Sequence, residues 1–197
     1  QYIADLISWT AIGARTTESQ THREMASGLS MPIGFKNGTD GSFTTAINAM
    51  QSAARSHHFL GVNGDGFASI VNTTGNPDTH IVLRGGSQGP NFDNHHIKNI
   101  SKDLSASKLP QKVMIDCSHG NSNKDFRKQS NVLENISRQL RDGEMNILGV
   151  MLESHLKEGN QKLKDKANLE YGKSITDACI DIKTTQDLLL NLYNSIN

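Results

Sequence analysis

The sequence predicts an α/β fold with parallel strands, and three observations lead to this prediction. Short apolar runs alternate with longer stretches that carry a helical apolar face. Most of these runs end in a polar or charged residue, as at the active face of parallel α/β proteins. The chain also begins almost directly inside a structured-looking segment. We therefore predict the last five βα units of a (β/α)8 TIM barrel plus an inserted β-hairpin; an open five-stranded sheet is the alternative.

Each element follows from a local pattern in the chain. The predicted strands cover residues 6–14, 32–36, 80–84, 112–116 and 147–152. Helices are predicted from 16–20 to about Gly28, and over 43–56, 93–106, 124–141 and 184–196. Turn residues around two further apolar runs predict the hairpin at 59–80. Residues 154–181 are polar and lysine-rich, which predicts a functional loop. We expect one catalytic domain over 1–197.

Composition and charge exclude several classes of protein. The 197 residues contain 20 Lys+Arg and 20 Asp+Glu, so no overall charge favours nucleic acid or a membrane surface. No apolar run approaches the roughly 20 residues that span a bilayer. Two cysteines, Cys117 and Cys179, are too few for a disulfide framework. These features favour a cytoplasmic protein.

Three cations lie at equivalent positions in the pattern. Arg15, Lys36 and Arg84 each stand where an apolar run ends, so in a parallel sheet they meet at one edge. Converging guanidinium and ammonium groups beside glycine-rich backbone suit a phosphate or a carboxylate. Surface cations that pair with nearby acids are the alternative reading, which would hold for any one of them alone.

A second group has the residue types of a metal site. His119, Glu153 and Asp177 offer an imidazole and two carboxylates, which suit Mn²⁺, Fe²⁺ or Zn²⁺. Alternatively, His119 caps a loop and Glu153 pairs with a lysine of 157–166. Cys117 precedes the strand exit and is expected to pack inside.

Four blocks carry a resemblance to a known family: GARTTESQ (13–20), GFKNGTDG (34–41), LRGG (83–86) and DCSHGNS (116–122). Together they resemble class I 3-deoxy-D-arabino-heptulosonate 7-phosphate (DAHP) synthase, and the resemblance runs along the whole chain. The related 3-deoxy-D-manno-octulosonate 8-phosphate synthase matches these blocks less well.

The resemblance implies a condensation of phosphoenolpyruvate with erythrose 4-phosphate, the first step of the shikimate pathway. It implies that Ala14, Arg15, Lys36 and Arg84 hold phosphoenolpyruvate, and that His119, Glu153 and Asp177 bind a divalent metal, Mn²⁺, Fe²⁺, Co²⁺ or Zn²⁺. Lys36, His119 and Asp177 are the implied catalytic residues. A homo-oligomer, dimer or tetramer, is also implied.

Many members of this family are inhibited by an aromatic amino acid, and the hairpin belongs to the regulatory region. The implied inhibitor site comprises Gln1, Met25, Leu29, Ser30, Phe59, Gly61 and Val71. Glycine at position 61 leaves room for a phenol hydroxyl, which predicts tyrosine as the inhibitor, with phenylalanine next.

The sequence departs from the family pattern in two places. The family's cysteine ligand and its Lys-Pro-Arg-Thr block, which binds erythrose 4-phosphate, have no counterpart here, and neither Cys117 nor Cys179 matches the ligand's position. We therefore expect this sequence to be the C-terminal portion of a longer enzyme and to be inactive as an isolated chain. A non-catalytic regulatory module is the competing expectation.

Overall fold

A computed structural model describes residues 3–164 and 166–196. Its centre is a five-stranded sheet in the order β1-β2-β5-β6-β7, in which every neighbouring pair is parallel. These strands are β1 Thr10–Ile12, β2 Ile33–Lys36, β5 Thr79–Leu83, β6 Val113–Asp116 and β7 Ile147–Met151. Because they are parallel, the residues that follow them meet at one edge of the sheet. Within the described residues, β1 and β7 are the outer strands.

Helices follow the strands in the predicted alternation. They are α1 Gln20–Ser27, α2 Thr44–Ala53, α3 Asn94–Ala106, α4 Gln129–Arg141 and α5 Ile182–Ile196. The third begins at a side-chain cap, since the Asp93 carboxylate accepts a hydrogen bond from the His96 backbone N–H. No helix in the described ranges is long and apolar enough to cross a membrane.

The core lies between the sheet and these helices. All five residues of β5 are buried, as are Ile33 and Phe35 of β2. Such continuous burial is typical of parallel strands covered by helices. The small side chains of Ala46, Ala49 and Ala53 let α2 pack closely, and none of the three has exposed surface. Each fully buried large apolar side chain contributes about 1.5–3 kcal/mol by leaving water.

The predicted hairpin is present, with altered bounds. Strands β3 His58–Val62 and β4 Ala68–Asn72 pair antiparallel between α2 and β5. The predicted range 59–80 runs too far, since Thr79 and His80 are buried residues of β5. The base of the hairpin is tied to α1 by a buried hydrogen bond of 2.7 Å between Ser27 and Thr73.

Other predicted bounds were wrong for identifiable reasons. The first strand is shorter than 6–14, because residues 4–6 form a 3₁₀ turn. Helix α4 begins at Gln129 rather than 124, since Asn123 and Lys124 have positive φ and Asp125 caps a short 3₁₀ turn.

The polar segment 154–181 contains a pair of two-residue strands in addition to loop. Strands β8 Ser154–His155 and β9 Ile180–Asp181 pair in parallel. The Ile180 N–H also donates to the Glu153 carbonyl at 3.0 Å. This pairing returns the end of the segment to the exit of β7.

Candidate functional site

The carboxyl edge of the sheet carries most of the predicted functional residues. Lys36 ends β2, Arg84 follows β5, Asp116 ends β6, and Glu153 lies two residues after β7. A cavity of about 410 Å³ opens at this edge. The predicted residues among those that line it are Arg15, Arg84, His119, Glu153 and Asp177.

Three potential metal ligands lie together in this cavity. One donor atom from each of His119, Glu153 and Asp177 lies within 4.8 Å of the other two. Ligand atoms bound to one ion at about 2.1 Å are at most about 4.2 Å apart, so small side-chain movements bring the three onto one ion. One imidazole and two carboxylates suit the divalent ions that the sequence indicated. The donor set therefore fits a divalent metal.

Asp177 reaches this group through the pairing of β8 and β9. It lies in an exposed turn three residues before β9. The Gly159 and Cys179 backbones exchange two hydrogen bonds, of 2.8 and 3.1 Å, and so close the segment between β8 and β9. This arrangement explains how a carboxylate 24 residues beyond Glu153 returns to the same site.

Glu153 is held at both ends. The buried Gln129 side chain accepts from the Glu153 N–H at 2.8 Å and donates to its carbonyl at 3.1 Å. The Ser118 hydroxyl donates to the Glu153 carboxylate. The first residue of α4 thus sets the backbone of the loop after β7, and the β6 loop sets the carboxylate.

His119 has an unusual backbone and a defined orientation. Its φ of 53° is in the left-handed region, and its carbonyl accepts from the Lys124 N–H at 2.7 Å. Its Nδ1 lies 2.9 Å from Asp116 Oδ2, while its Nε2 lies 3.5 Å from Glu153 Oε1. A non-glycine residue with positive φ at a site is typical of a functional constraint.

The predicted cations divide into two groups. Arg15 and Arg84 line the cavity, and neither forms an ion pair within residues 3–164 and 166–196. Lys36 is instead paired with Asp116, with 2.7 Å between Nζ and Oδ2. Lys36 and Ala14 do not line the cavity. Lys124, which sequence reasoning missed, does line it.

A buried network of three asparagines connects the loops around the cavity. Asn37 accepts from the Arg84 N–H at 2.8 Å, Asn91 from the Gly85 N–H at 2.7 Å, and Asn121 from the Asn91 N–H at 2.8 Å. Because all three are buried, their hydrogen bonds are shielded from water. The backbone that carries Arg84 is therefore held by side chains from neighbouring loops.

Glycines let these loops approach each other backbone to backbone. A Cβ on Gly86 would lie 2.2 Å from the Gly41 nitrogen, and a Cβ on Gly120 would lie 2.5 Å from the Gly86 nitrogen. Gly85 adds a positive φ of 66°. The LRGG and SHGN segments therefore need glycine for packing, and a side chain at either position would separate the loops.

Neither cysteine is a member of the metal-ligand group, although the Cys179 thiol donates to the Asp177 carbonyl at 3.5 Å. Cys117 belongs to the buried core, as predicted, and burial raises the pKa of its thiol far above the usual value. Burial also raises the pKa of the Cys179 thiol. Neither belongs to the group of three ligands found among the described residues.

Comparison with known proteins shows the family to which the chain belongs. A family model described as the DAHP synthetase I family matches residues 1–190. The chain belongs to this family. It is 52% identical over 198 residues to the Tyr-sensitive phospho-2-dehydro-3-deoxyheptonate aldolase of Escherichia coli K12, and 55% identical over 196 residues to the Phe-sensitive enzyme of the same organism. Both alignments cover 100% of this chain.

A solved structure of a relative has the same fold. The phospho-2-dehydro-3-deoxyheptonate aldolase of Francisella tularensis SCHU S4 superposes with a TM-score of 0.93 at 48% identity over 98% of this chain. The chain spans 55% and 56% of the two Escherichia coli enzymes and 56% of the Francisella chain. It therefore corresponds to about half the length of each.

The residues implied as a DAHP synthase inhibitor site form two groups. Met25 and Leu29 line a second cavity, of about 390 Å³, beside β1. Phe59 and Val71 are partners across the hairpin, and a Cβ on Gly61 would lie 2.8 Å from Val71 Cγ2. Among the described residues, neither Ser30 nor the hairpin residues line that cavity. Gln1 lies outside the described residues.

Proposed function

We propose that this chain provides the phosphoenolpyruvate- and metal-binding part of a phospho-2-dehydro-3-deoxyheptonate aldolase. The enzyme would condense phosphoenolpyruvate with erythrose 4-phosphate to DAHP and inorganic phosphate. The single observation that carries the proposal is the convergence of three metal-ligand side chains with two arginines in one cavity. Family membership supports the same reaction.

The proposed fold follows from the same comparison. The five parallel βα units would be the last five of a (β/α)8 barrel, and residues 1–197 would form one catalytic domain with the hairpin as its regulatory region. Support comes from the parallel sheet and from the high structural similarity to the Francisella enzyme. A homo-oligomer, dimer or tetramer, belongs to the proposal as well.

Phosphoenolpyruvate is the ligand proposed for the cationic side of the cavity. Arg15 and Arg84 line the cavity and can bind its phosphate and carboxylate through charge-assisted hydrogen bonds. The Ala14 N–H is proposed as a further donor, although Ala14 does not line the cavity. The Lys36 ammonium would add positive charge at the exit of β2. These groups would stabilise the negative charge that develops as water adds and phosphate departs.

His119, Glu153 and Asp177 are proposed to hold the divalent metal. When bound, the metal would supply Lewis-acid polarisation of the aldehyde. The contribution of the chain is to present one imidazole nitrogen and two carboxylates in the wall of the cavity. Ser118 and Gln129 hold Glu153 in this arrangement through hydrogen bonds within the chain.

An assay of the full-length gene product tests the proposal. We expect phosphate release that requires phosphoenolpyruvate, erythrose 4-phosphate and a divalent metal, that EDTA abolishes, and that Mn²⁺ restores. A five-carbon aldose phosphate is the control acceptor and should give little release. Turnover that needs no metal, or that prefers the five-carbon acceptor, would contradict the proposal.

Feedback inhibition by an aromatic amino acid is the regulatory part of the proposal. Relatives named Tyr-sensitive and Phe-sensitive are similarly identical to this chain, so the choice between them rests on Gly61. A Cβ at position 61 would lie 2.8 Å from Val71 Cγ2, so the hairpin itself favours glycine there, and the preference for tyrosine is inferred from the residue type alone. We propose tyrosine as the stronger inhibitor. Titrations with both amino acids decide this, and indifference to tyrosine would refute it.

A further inference from the structure

Asp116 is a buried carboxylate at the end of β6, in contact with one of the cavity-lining residues, His119. Its side chain is 2% exposed, and Oδ2 accepts a hydrogen bond from Lys36 Nζ at 2.7 Å. The same oxygen lies 2.9 Å from His119 Nδ1. Oδ1 accepts from the Ser118 N–H at 3.0 Å. One carboxylate therefore contacts a residue predicted to bind substrate, a residue predicted to bind metal, and the backbone of the loop that follows β6.

Stability alone gives little reason for this arrangement. Burying a carboxylate and an ammonium costs several kcal/mol for each ion, and apolar residues of similar volume often serve a core equally well. The position ends β6, where Val113 and Ile115 are already fully buried. A charge placed here is better explained by what it orients.

The contact with His119 determines which nitrogen is available to a metal. Nδ1 is buried, and its angle to Asp116 is poorer than that of a well-aligned hydrogen bond, although the distance is suitable. At this distance, rotation of the ring would allow the Nδ1–H to donate to the carboxylate. We assign the proton to Nδ1, which leaves the Nε2 lone pair facing Glu153. A carboxylate behind a ligating imidazole orients the ring in this way and raises its basicity.

The contact with Lys36 fixes the position of a cation. Lysine has a flexible four-carbon stem, so an unanchored ammonium samples many positions. The carboxylate holds Nζ at one place between the exits of β2 and β6, in a part of the site that is largely closed to solvent. Since Oδ2 serves both partners, a change at Asp116 affects both.

We propose that Asp116 is a positioning residue that holds the His119 imidazole and the Lys36 ammonium at fixed positions relative to each other. This inference rests on the proposed function for its kinetic consequence, whereas its consequence for metal affinity can be measured without turnover. The carboxylate itself forms and breaks no bond in the reaction.

The test is Asp116→Asn in the full-length protein, with Asp93→Asn as the matched control. Asp93 and His96 have the same i,i+3 spacing and the same 2.9 Å separation, but both are solvent-exposed. Free Mn²⁺, measured by electron paramagnetic resonance, should reveal a 10–100-fold weaker Mn²⁺ affinity in Asp116→Asn. The control should remain within twofold of the wild type. An affinity within twofold in folded Asp116→Asn would overturn the role at His119.

The role at Lys36 requires a separate kinetic readout. At saturating Mn²⁺ we expect kcat of Asp116→Asn to remain at least tenfold below the wild type, while KM for phosphoenolpyruvate changes less. Full recovery of kcat by added metal would overturn this half of the proposal. If Asp116→Asn binds Mn²⁺ more weakly than the wild type, as expected, but neither protein makes DAHP, the proposed function fails and the metal-positioning role stands.

A measurement on the wild type covers the case in which Asp116→Asn does not fold. Nitrogen-15 NMR of the full-length protein loaded with Zn²⁺ should show His119 with a proton on Nδ1 and none on Nε2. A proton on Nε2 would overturn the assignment, since that tautomer cannot use Nε2 as a ligand.

Discussion

Two aspartate–histidine pairs in this chain share their spacing along the chain and the distance between their side chains. In both Asp116–His119 and Asp93–His96, Nδ1 lies 2.9 Å from Oδ2 at a separation of three residues. The first carboxylate is 2% exposed and the second 51%. Asp93 caps a helix, whereas Asp116 also binds Lys36 and faces the cavity through its histidine. The same local pattern therefore has a capping role at one place and an orienting role at the other.

The electrostatics of the two carboxylates differ in the partner that holds them. Burial raises the pKa of Asp116, but the His119 imidazole and the Lys36 ammonium together lower this pKa by more than burial raises it. The pKa of Asp116 therefore lies below its usual value. For Asp93, burial raises the pKa less than the His96 backbone N–H and imidazole lower it. A cation from a distant strand is what distinguishes the site pair. Spacing along the chain does not set the function of such a pair; burial and the third partner do.

The largest expected effect is the difference in turnover between variants of the two histidines. His119→Gln should lower turnover at least 1000-fold, because it removes a proposed metal ligand, and should leave less than one Mn²⁺ bound per site. The turnover of His96→Gln should stay within twofold of the wild type, since the His96 ring is exposed. Metal-dependent phosphate release and bound Mn²⁺ provide the measurements. Comparable activity of the two variants would remove the distinction between the pairs.

A third histidine extends the comparison to the opposite end of the sheet. His80 of β5 is buried and accepts a hydrogen bond from the Trp9 indole N–H at 3.1 Å. Burial lowers the pKa of His80 to about 4 from 6.5. The folded state therefore binds fewer protons than the unfolded state between these values, and stability falls as pH falls from 6.5 to 4.

The loss over this range should be roughly 3 kcal/mol, at about 1.4 kcal/mol per pKa unit. Urea unfolding at several pH values measures it. His80→Gln should flatten the profile in this window, whereas His96→Gln should leave it unchanged. An unaltered slope in His80→Gln would show that other groups cause the pH dependence.

The next effect concerns the cations. Arg84→Ala should raise KM for phosphoenolpyruvate roughly 10–100-fold with a smaller change in kcat, because a hydrogen bond between charged groups contributes about 1.5–3 kcal/mol. Arg55→Ala, at an exposed turn, is the control and should leave KM unchanged. Initial rates at varied phosphoenolpyruvate measure both. Equal KM values would mean that Arg84 does not bind this substrate.

The smallest expected effect belongs to the surface pair. Asp93→Ala should destabilise the protein by about 1 kcal/mol, since it removes the cap of α3, and should leave turnover within twofold. Asp93→Asn should retain most of the cap. Denaturant unfolding measures the difference, and a loss of activity without a loss of stability would give this pair a role in the site.

The alternation of strands and helices was predictable because parallel strands covered on both faces are apolar throughout. Val82 and Ile115 lie in such runs, and the polar residue at the end of each run marks the site edge. This pattern also predicted that Arg84, His119 and Glu153 would meet. Asp177 was predicted from the resemblance and its residue type, and the pairing of β8 with β9 that returns it had no clear sequence signal.

The supporting residues were not predicted. Asp116 was read only as the last residue of a strand, because its contact with Lys36 joins positions 80 residues apart. Asn37, Asn91 and Asn121 act through side-chain bonds to backbone of other loops, and such bonds follow no spacing along the chain. One signal was available: Asn37 and Asn121 each follow a strand exit directly or closely.

A crystal structure of the full-length protein with Mn²⁺ and phosphoenolpyruvate tests the central claim most directly. Anomalous scattering should place Mn²⁺ on His119 Nε2 and the carboxylates of Glu153 and Asp177, with phosphoenolpyruvate contacting Arg15 and Arg84. Metal or substrate bound elsewhere, with these side chains unliganded, would contradict the account.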